Sequence, residues 1–154
     1  MIKINVSSSS TIWKKYIKNP SSFIDKKLKL INKKNNLYKK NILICTLLLS
    51  GTKEIRELNK KFRNKNKSTD ILSFPSNKKL KISKQTYLGD IIISFNYMNK
   101  PKSQTDKHFK EKIIKTFIHG FLHLLGFDHI KDKDYLKMLK EEEKIYQSVI
   151  SKIK

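Results

Sequence analysis

The stretch from Phe109 to His129 constrains this chain more than any other. Phe109, Ile113, Ile114, Phe117, Phe121 and Leu124 spread around most of the circumference of a helix, so that helix must be largely buried. The same helix carries two imidazoles. His119 and His123 stand at i and i+4, on one face, with side chains about 6 Å apart. Gly126 follows where a helix would end, and a turn there can bring His129 back towards the first two. Three of the four histidines thus fall within eleven residues, HGFLHLLGFDH. A strongly apolar helix with two imidazoles places them near the core, at the floor of a cleft. Three converging imidazoles suit one transition-metal ion, most often zinc, with nickel, cobalt or copper also accepted. Three protein ligands leave one coordination position open, which separates a catalytic zinc site from a structural one.

The rest of the chain supplies the framework. Ile2, Ile4 and Val6 alternate with Lys3 and Asn5 as in a half-buried strand, and Ser7 to Ser10 read as a loop after it. Pro20 and the serines after it open a helix striped by Phe23, Ile24, Leu28 and Ile31, which decays at Asn35 and Asn36. Asn41 to Leu49 reads as a central strand buried on both faces. Ser50 or Thr52 caps a helix with Ile55, Leu58 and Phe62 inward and Arg63 at its end. Asp70 to Phe74 is a short strand stopped by Pro75, Asn77 to Gln85 an exposed loop, and Tyr87 to Ser94 a further strand. Lys100 to Lys107 forms a loop before the histidine helix. Asp132 or Asp134 caps a last helix to about Ile150, with Leu136, Leu139, Ile145, Tyr146 and Val149 inward. The expected fold class is α+β: a single domain, residues 1–154, with a mixed four-stranded sheet packed against helices and the buried histidine helix lying on the sheet.

Composition narrows the function classes. The longest apolar run, Ile42 to Leu49, is far short of the roughly 20 residues a membrane span needs. The N-terminus lacks the apolar region of a signal peptide. Cys45, the only cysteine, sits inside the apolar run and reads as a small buried hydrophobe. A reducing, cytoplasmic setting and no membrane partner are the expectation. The net charge of +22 makes nucleic acid the first candidate partner. Part of that charge is compositional, since Lys, Asn and Ile abound and alanine is absent, as in translation of a very AT-rich genome. Arg56 and Arg63 are the only arginines among 35 basic residues. An arginine kept in so lysine-biased a chain offers a planar fork suited to phosphate, and Arg63 is the candidate.

The histidine spacing matches the metzincin protease motif H-E-x-x-H-x-x-G-x-x-H at His119, His123, Gly126 and His129. The glutamate that serves a peptidase as general base is replaced by Gly120. Without that carboxylate peptidase chemistry is not expected, whereas a metal can still lower the pKa of a water to about 7 and act as a Lewis acid. A phosphodiester fits what remains, with its charge met by arginine and lysine.

Three blocks carry a family resemblance: LNKKFRNKNKSTDILSFP (Leu58 to Pro75), LGDIIIS (Leu88 to Ser94) and HGFLHLLGFDH (His119 to His129). With these the chain resembles the YbeY endoribonucleases from about Leu58 to Glu143; the part before Leu49 matches only in general pattern. The resemblance implies metal ligands at His119, His123 and His129, a functional arginine at Arg63, and a glycine at Gly120 as normal for the family. It implies a metal-dependent endoribonuclease acting on single-stranded RNA, in ribosomal RNA processing (notably the 3′ end of the small-subunit RNA) and in ribosome quality control. Zinc is then the expected cofactor, one ion per chain, and ribosomal RNA with the ribosome or its small subunit the expected partners. Asp128 is expected to orient a ligand from behind, and Asp70 and Asp90 to serve as caps or turns. A non-catalytic ribosome-assembly factor, and a hydrolase of small phosphoesters, are the rival readings.

Overall fold

Apolar alternation in the first residues forms one edge of a four-stranded sheet. The computed structural model describes residues 1–34 and 39–150. In chain order the elements are β1 (Ile2–Ser8), α1 (Ile12–Tyr16), α2 (Pro20–Lys34), β2 (Ile42–Ser50), α3 (Thr52–Arg63), β3 (Ile71–Pro75), β4 (Gln85–Ser94), α4 (Phe95–Met98), α5 (Asp106–Leu124) and α6 (Asp132–Ile150). The strands lie in the order β1-β2-β4-β3. β1, β2 and β4 run parallel, and β3 pairs antiparallel with β4 at the far edge. The α+β class and the mixed four-stranded sheet are as expected. The decay of α2 at Asn35 and Asn36 lies outside the described residues.

The two faces of the sheet are covered unequally. Leu43, Cys45, Leu47 and Leu49 of β2, with Leu88, Ile91 and Ile93 of β4, join α2, α5 and α6 in the main core. Leu48, Leu72, Phe74 and Ile92 point the other way, towards Ile55 and Leu58 of α3. α3 packs on β4 and β3. A helix is about 10 Å across and strands are about 4.8 Å apart, so one helix covers roughly two strands. Ile42, Ile44, Thr46 and Leu48 therefore stay half-buried, and β2 is sealed on one face, not on both as its apolar run implied.

β4 carries a bulge that sets which residues face where. Ile44 pairs with Tyr87 but Cys45 pairs with Gly89, so Leu88 is an extra residue. The slip turns Leu88, Ile91 and Ile93 into the main core and leaves Tyr87, Asp90 and Ile92 on the α3 side. Gly89 holds φ +136°, and a Cβ there would lie 2.1 Å from the Phe74 carbonyl oxygen. Only glycine lets β3 approach at this point.

Several side chains depart from the periodicity. α1 and α4 are too short to show a repeat, yet α1 delivers Trp13, which is fully buried and donates its Nε1–H to the Ser50 carbonyl at 3.1 Å. α3 is capped by Gly51, not by Ser50 or Thr52; the Ser50 hydroxyl instead donates to the Ile93 carbonyl. Asp132 and Asp134 lie inside the first turn of α6, where their charge meets the positive helix end. Leu136 and Leu139 are exposed, because the buried line of α6 runs through Met138, Ile145 and Val149 instead. Phe62 also points outward, resting on Phe74 with ring centroids 5.4 Å apart.

Two outcomes are expected. Gly89→Ala meets both a forbidden φ and a carbonyl, and should destabilise by about 2–3 kcal/mol in denaturant titration. The Cys45 thiol is pushed up to about 12, first by burial and then by the Asp90 carboxylate. It should resist alkylation at pH 8 in the native protein and react once guanidinium unfolds it.

Candidate metal centre

α5 is held by burial along most of its length. The Thr105 hydroxyl caps it, accepting from the His108 N–H at 3.2 Å. Phe109, Ile113, Ile114, Phe117, Ile118, Phe121, Leu122 and Leu124 are all buried, each contributing roughly 1.5–3 kcal/mol. Gly120 is where the helix crosses β3. Its carbonyl accepts from the Ser73 hydroxyl at 3.3 Å. A Cβ there would come within 2.6 Å of Ile71 Cδ1 and 2.8 Å of Ser73 Oγ. The position that a protease fills with its general base therefore faces the edge strand, where a side chain would have to displace Ile71 and Ser73.

The helix ends in a Schellman motif. The Gly126 N–H donates to the His123 carbonyl and the Phe127 N–H to the Leu122 carbonyl, both at 3.0 Å. Gly126 takes φ +90°, which glycine adopts without strain. The chain reverses, and His129 returns alongside His119 and His123 as the spacing predicted. Asp128 contributes differently from expectation. Its Oδ1 accepts from the backbone N–H groups of His129 and Ile130, at 2.6 and 3.2 Å, so it fixes the turn that carries His129 and not the imidazole.

The three imidazoles converge. Their ring centroids are 4.8, 5.0 and 5.7 Å apart, and one nitrogen from each lies within 4.8 Å of the others. The hydrogen bonds decide which nitrogens face inward. His123 Nδ1–H donates to the Phe127 carbonyl at 3.0 Å. His119 Nδ1–H donates to the Glu142 carboxylate, also at 3.0 Å. With each Nδ1 engaged outward, the two Nε2 atoms face each other across 3.2 Å. Two lone pairs so placed repel, and a shared cation resolves the repulsion. Burial, and then the neighbouring His119, hold His123 below the usual imidazole range, which keeps its lone pair free. The donor set fits one transition-metal ion. Glu142 was not foreseen from the sequence. Its signal was an acid on the otherwise apolar line of α6, four residues after Met138 and three before Ile145.

Arg63, 56 positions earlier in the chain, enters the same cleft. It ends α3, where Asn64 takes a left-handed conformation (φ 56°) and turns the chain away. The cleft has a volume of about 640 Å3 and is lined by Arg63, Asp70, Ser73, His119, His123 and His129, among others. Among the described residues nothing pairs with the Arg63 guanidinium, whereas Arg56 donates its Nε–H to Asn66 at 3.0 Å and so stabilises the following loop. Asp70 has the expected turn role, with Oδ1 accepting from the Ile71 N–H at 2.8 Å. Asp90 lies on the other face of the sheet.

Because Glu142 holds His119 in the tautomer that turns Nε2 inward, Glu142→Gln should lower zinc affinity about 10- to 100-fold. Competition with a chromophoric chelator measures this, and an unchanged circular dichroism spectrum separates it from unfolding.

Residues 5–150 match the family model described as Endoribonuclease YbeY. An endoribonuclease YbeY from Pelagibacter ubique (strain HTCC1062) is 54% identical over 153 residues, 99% of each chain. Another from Thermodesulfovibrio yellowstonii is 38% identical over 152 residues, covering 96% of this chain and 91% of its own. A solution structure from Thermotoga maritima, 24% identical, covers 97% of this chain and 89% of its own with a TM-score of 0.58, and shares the fold. The chain belongs to the YbeY endoribonuclease family.

Proposed function

We propose that this protein is a zinc-dependent endoribonuclease that cuts single-stranded RNA during ribosomal RNA maturation, at the 3′ end of the small-subunit RNA, and in ribosome quality control, in the cytoplasm. The observation that carries this reading is the joint presence of three converging imidazoles and an unpaired Arg63 in one cleft of a strongly basic chain. No helix among the described residues is long and apolar enough to cross a membrane.

His119, His123 and His129 are the residues that would hold the ion, the first two through Nε2. Zinc, when bound, supplies Lewis acidity and eases deprotonation of water. The chain's own residues do the rest. The Phe127 carbonyl and Glu142 fix ring orientation before substrate arrives. Arg63 meets the scissile phosphate with its planar fork and stabilises the charge that develops on it. Surface lysines hold the flanking backbone and draw the polyanion to the cleft. As ligands, the three histidines are not free to carry a proton, so the base is another group.

Elemental analysis and cleavage of a 5′-labelled single-stranded RNA, with and without chelator, test the reading. His123→Ala should lose both metal and cleavage. Arg63→Ala should keep its metal and lose about 100-fold or more in rate, in line with removal of one donor to a developing oxyanion. Normal cleavage by either variant would overturn the assignment. Binding should weaken steeply with salt, which separates RNA from a small phosphoester substrate. Full metal occupancy without metal-dependent cleavage would instead favour an assembly factor.

A further inference from the structure

The sheet has a second groove, on the face away from the histidines. α3 lies over β4 and β3, and beside it a gap of about 300 Å3 remains open. Leu48, Leu58, Phe74 and Ile92 form apolar walls. Thr46 and Asp90 supply the polar groups. Two aromatic rings are strongly exposed here: Phe62, 59% exposed, lines the groove, and Tyr87, 42% exposed, hydrogen-bonds to Asp90. Lys61 Nζ lies 5.1 Å from the Phe62 ring centroid.

The Asp90 carboxylate is half-used. Its Oδ1 accepts from the Tyr87 hydroxyl at 2.7 Å and from the Thr46 hydroxyl. Among the described residues no donor reaches Oδ2. An apolar groove, an exposed ring and an open carboxylate oxygen together suit a flat ligand that carries an N–H donor.

We propose that this groove takes one unstacked base of the single-stranded RNA, stacked on Phe62 and donating its exocyclic amino group to Asp90. The inference rests on the RNA substrate proposed above. Continuity with the cleft supports it. Phe62 and Arg63 are consecutive, with Cα atoms about 3.8 Å apart, and one lines the groove while the other lines the cleft. A strand whose phosphate sits on Arg63 passes the groove within a nucleotide or two. Charge supports it as well. The +22 chain attracts a polyanion, but Asp90 repels phosphate, so the base enters and the backbone stays outside beside Lys61. Adenine, cytosine and guanine carry an exocyclic amino group, whereas uracil offers only its N3–H between two carbonyl oxygens that the Asp90 carboxylate repels, so the groove discriminates against uracil.

Fluorescence anisotropy with short phosphorothioate-linked oligoribonucleotides, which resist cleavage, tests this on the full zinc-loaded chain. Wild-type protein should bind adenine- and cytosine-only oligomers more tightly than uracil-only ones. Phe62→Ala should weaken binding about 5- to 100-fold, the loss of one stacked base, and Phe62→Tyr should restore it. Asp90→Asn should narrow the difference between cytosine and uracil. Variants that bind every oligomer as wild type does overturn the proposal. So does unchanged oligomer binding with lost association to purified small ribosomal subunits, which makes the groove a protein-docking site. If wild-type protein neither binds nor cuts RNA, the functional reading itself fails, an outcome distinct from any change confined to the variants.

Discussion

Burial of α5 between the sheet and α6 is the contact on which the site depends. Eight large apolar side chains fix the helix in rotation and height, and the two imidazoles take whatever positions that packing leaves. Gly120 sets the closest approach, since a larger residue would have to displace the Ile71 and Ser73 side chains of β3. The same glycine removes the possibility of a protease-type base. One packing requirement thus decides both how near the histidines stand to the edge strand and which chemistry they can serve.

Ring orientation is a separate matter from ring position, and hydrogen bonds settle it. The Schellman turn at Gly126 satisfies two orphan carbonyls of the helix and presents the Phe127 carbonyl to His123. Glu142 does the same for His119 from the neighbouring helix. Both bonds consume Nδ1, so both Nε2 atoms turn inward. The site also lies at the C-terminal ends of α5 and α3, whose negative dipole ends favour a bound cation and the Arg63 guanidinium.

The bulge at Leu88 and the end of α3 organise the opposite face. Without the slip at Gly89, Leu88 and Asp90 would share one face, placing either the leucine outside or the carboxylate in the main core. At the end of α3 the left-handed Asn64 stops the helix just after Phe62 and Arg63. These two residues therefore sit where the edge of the sheet separates the cleft from the groove.

Much was legible in the sequence because it is local. Helix periodicity gives i and i+4 a common face, a glycine after an apolar helix ends it, and an apolar run bounded by polar residues forms a strand. The strands, the long helices and the three histidines follow from such short-range rules. Blocks of residue types were enough to bring Arg63 into consideration, but not to place it. What no local rule contains is contact between distant segments. Arg63 reaches the histidines only because α3 and β3 lie beside α5. Glu142 reaches His119 only because α6 is rotated so that Met138, Ile145 and Val149 face the core, leaving Leu136 and Leu139 outside. β2 keeps one face half-open only because a single helix cannot cover four strands. Local sequence determined the donors and their spacing; tertiary packing decided their partners, because burial and pairing depend on which surfaces meet.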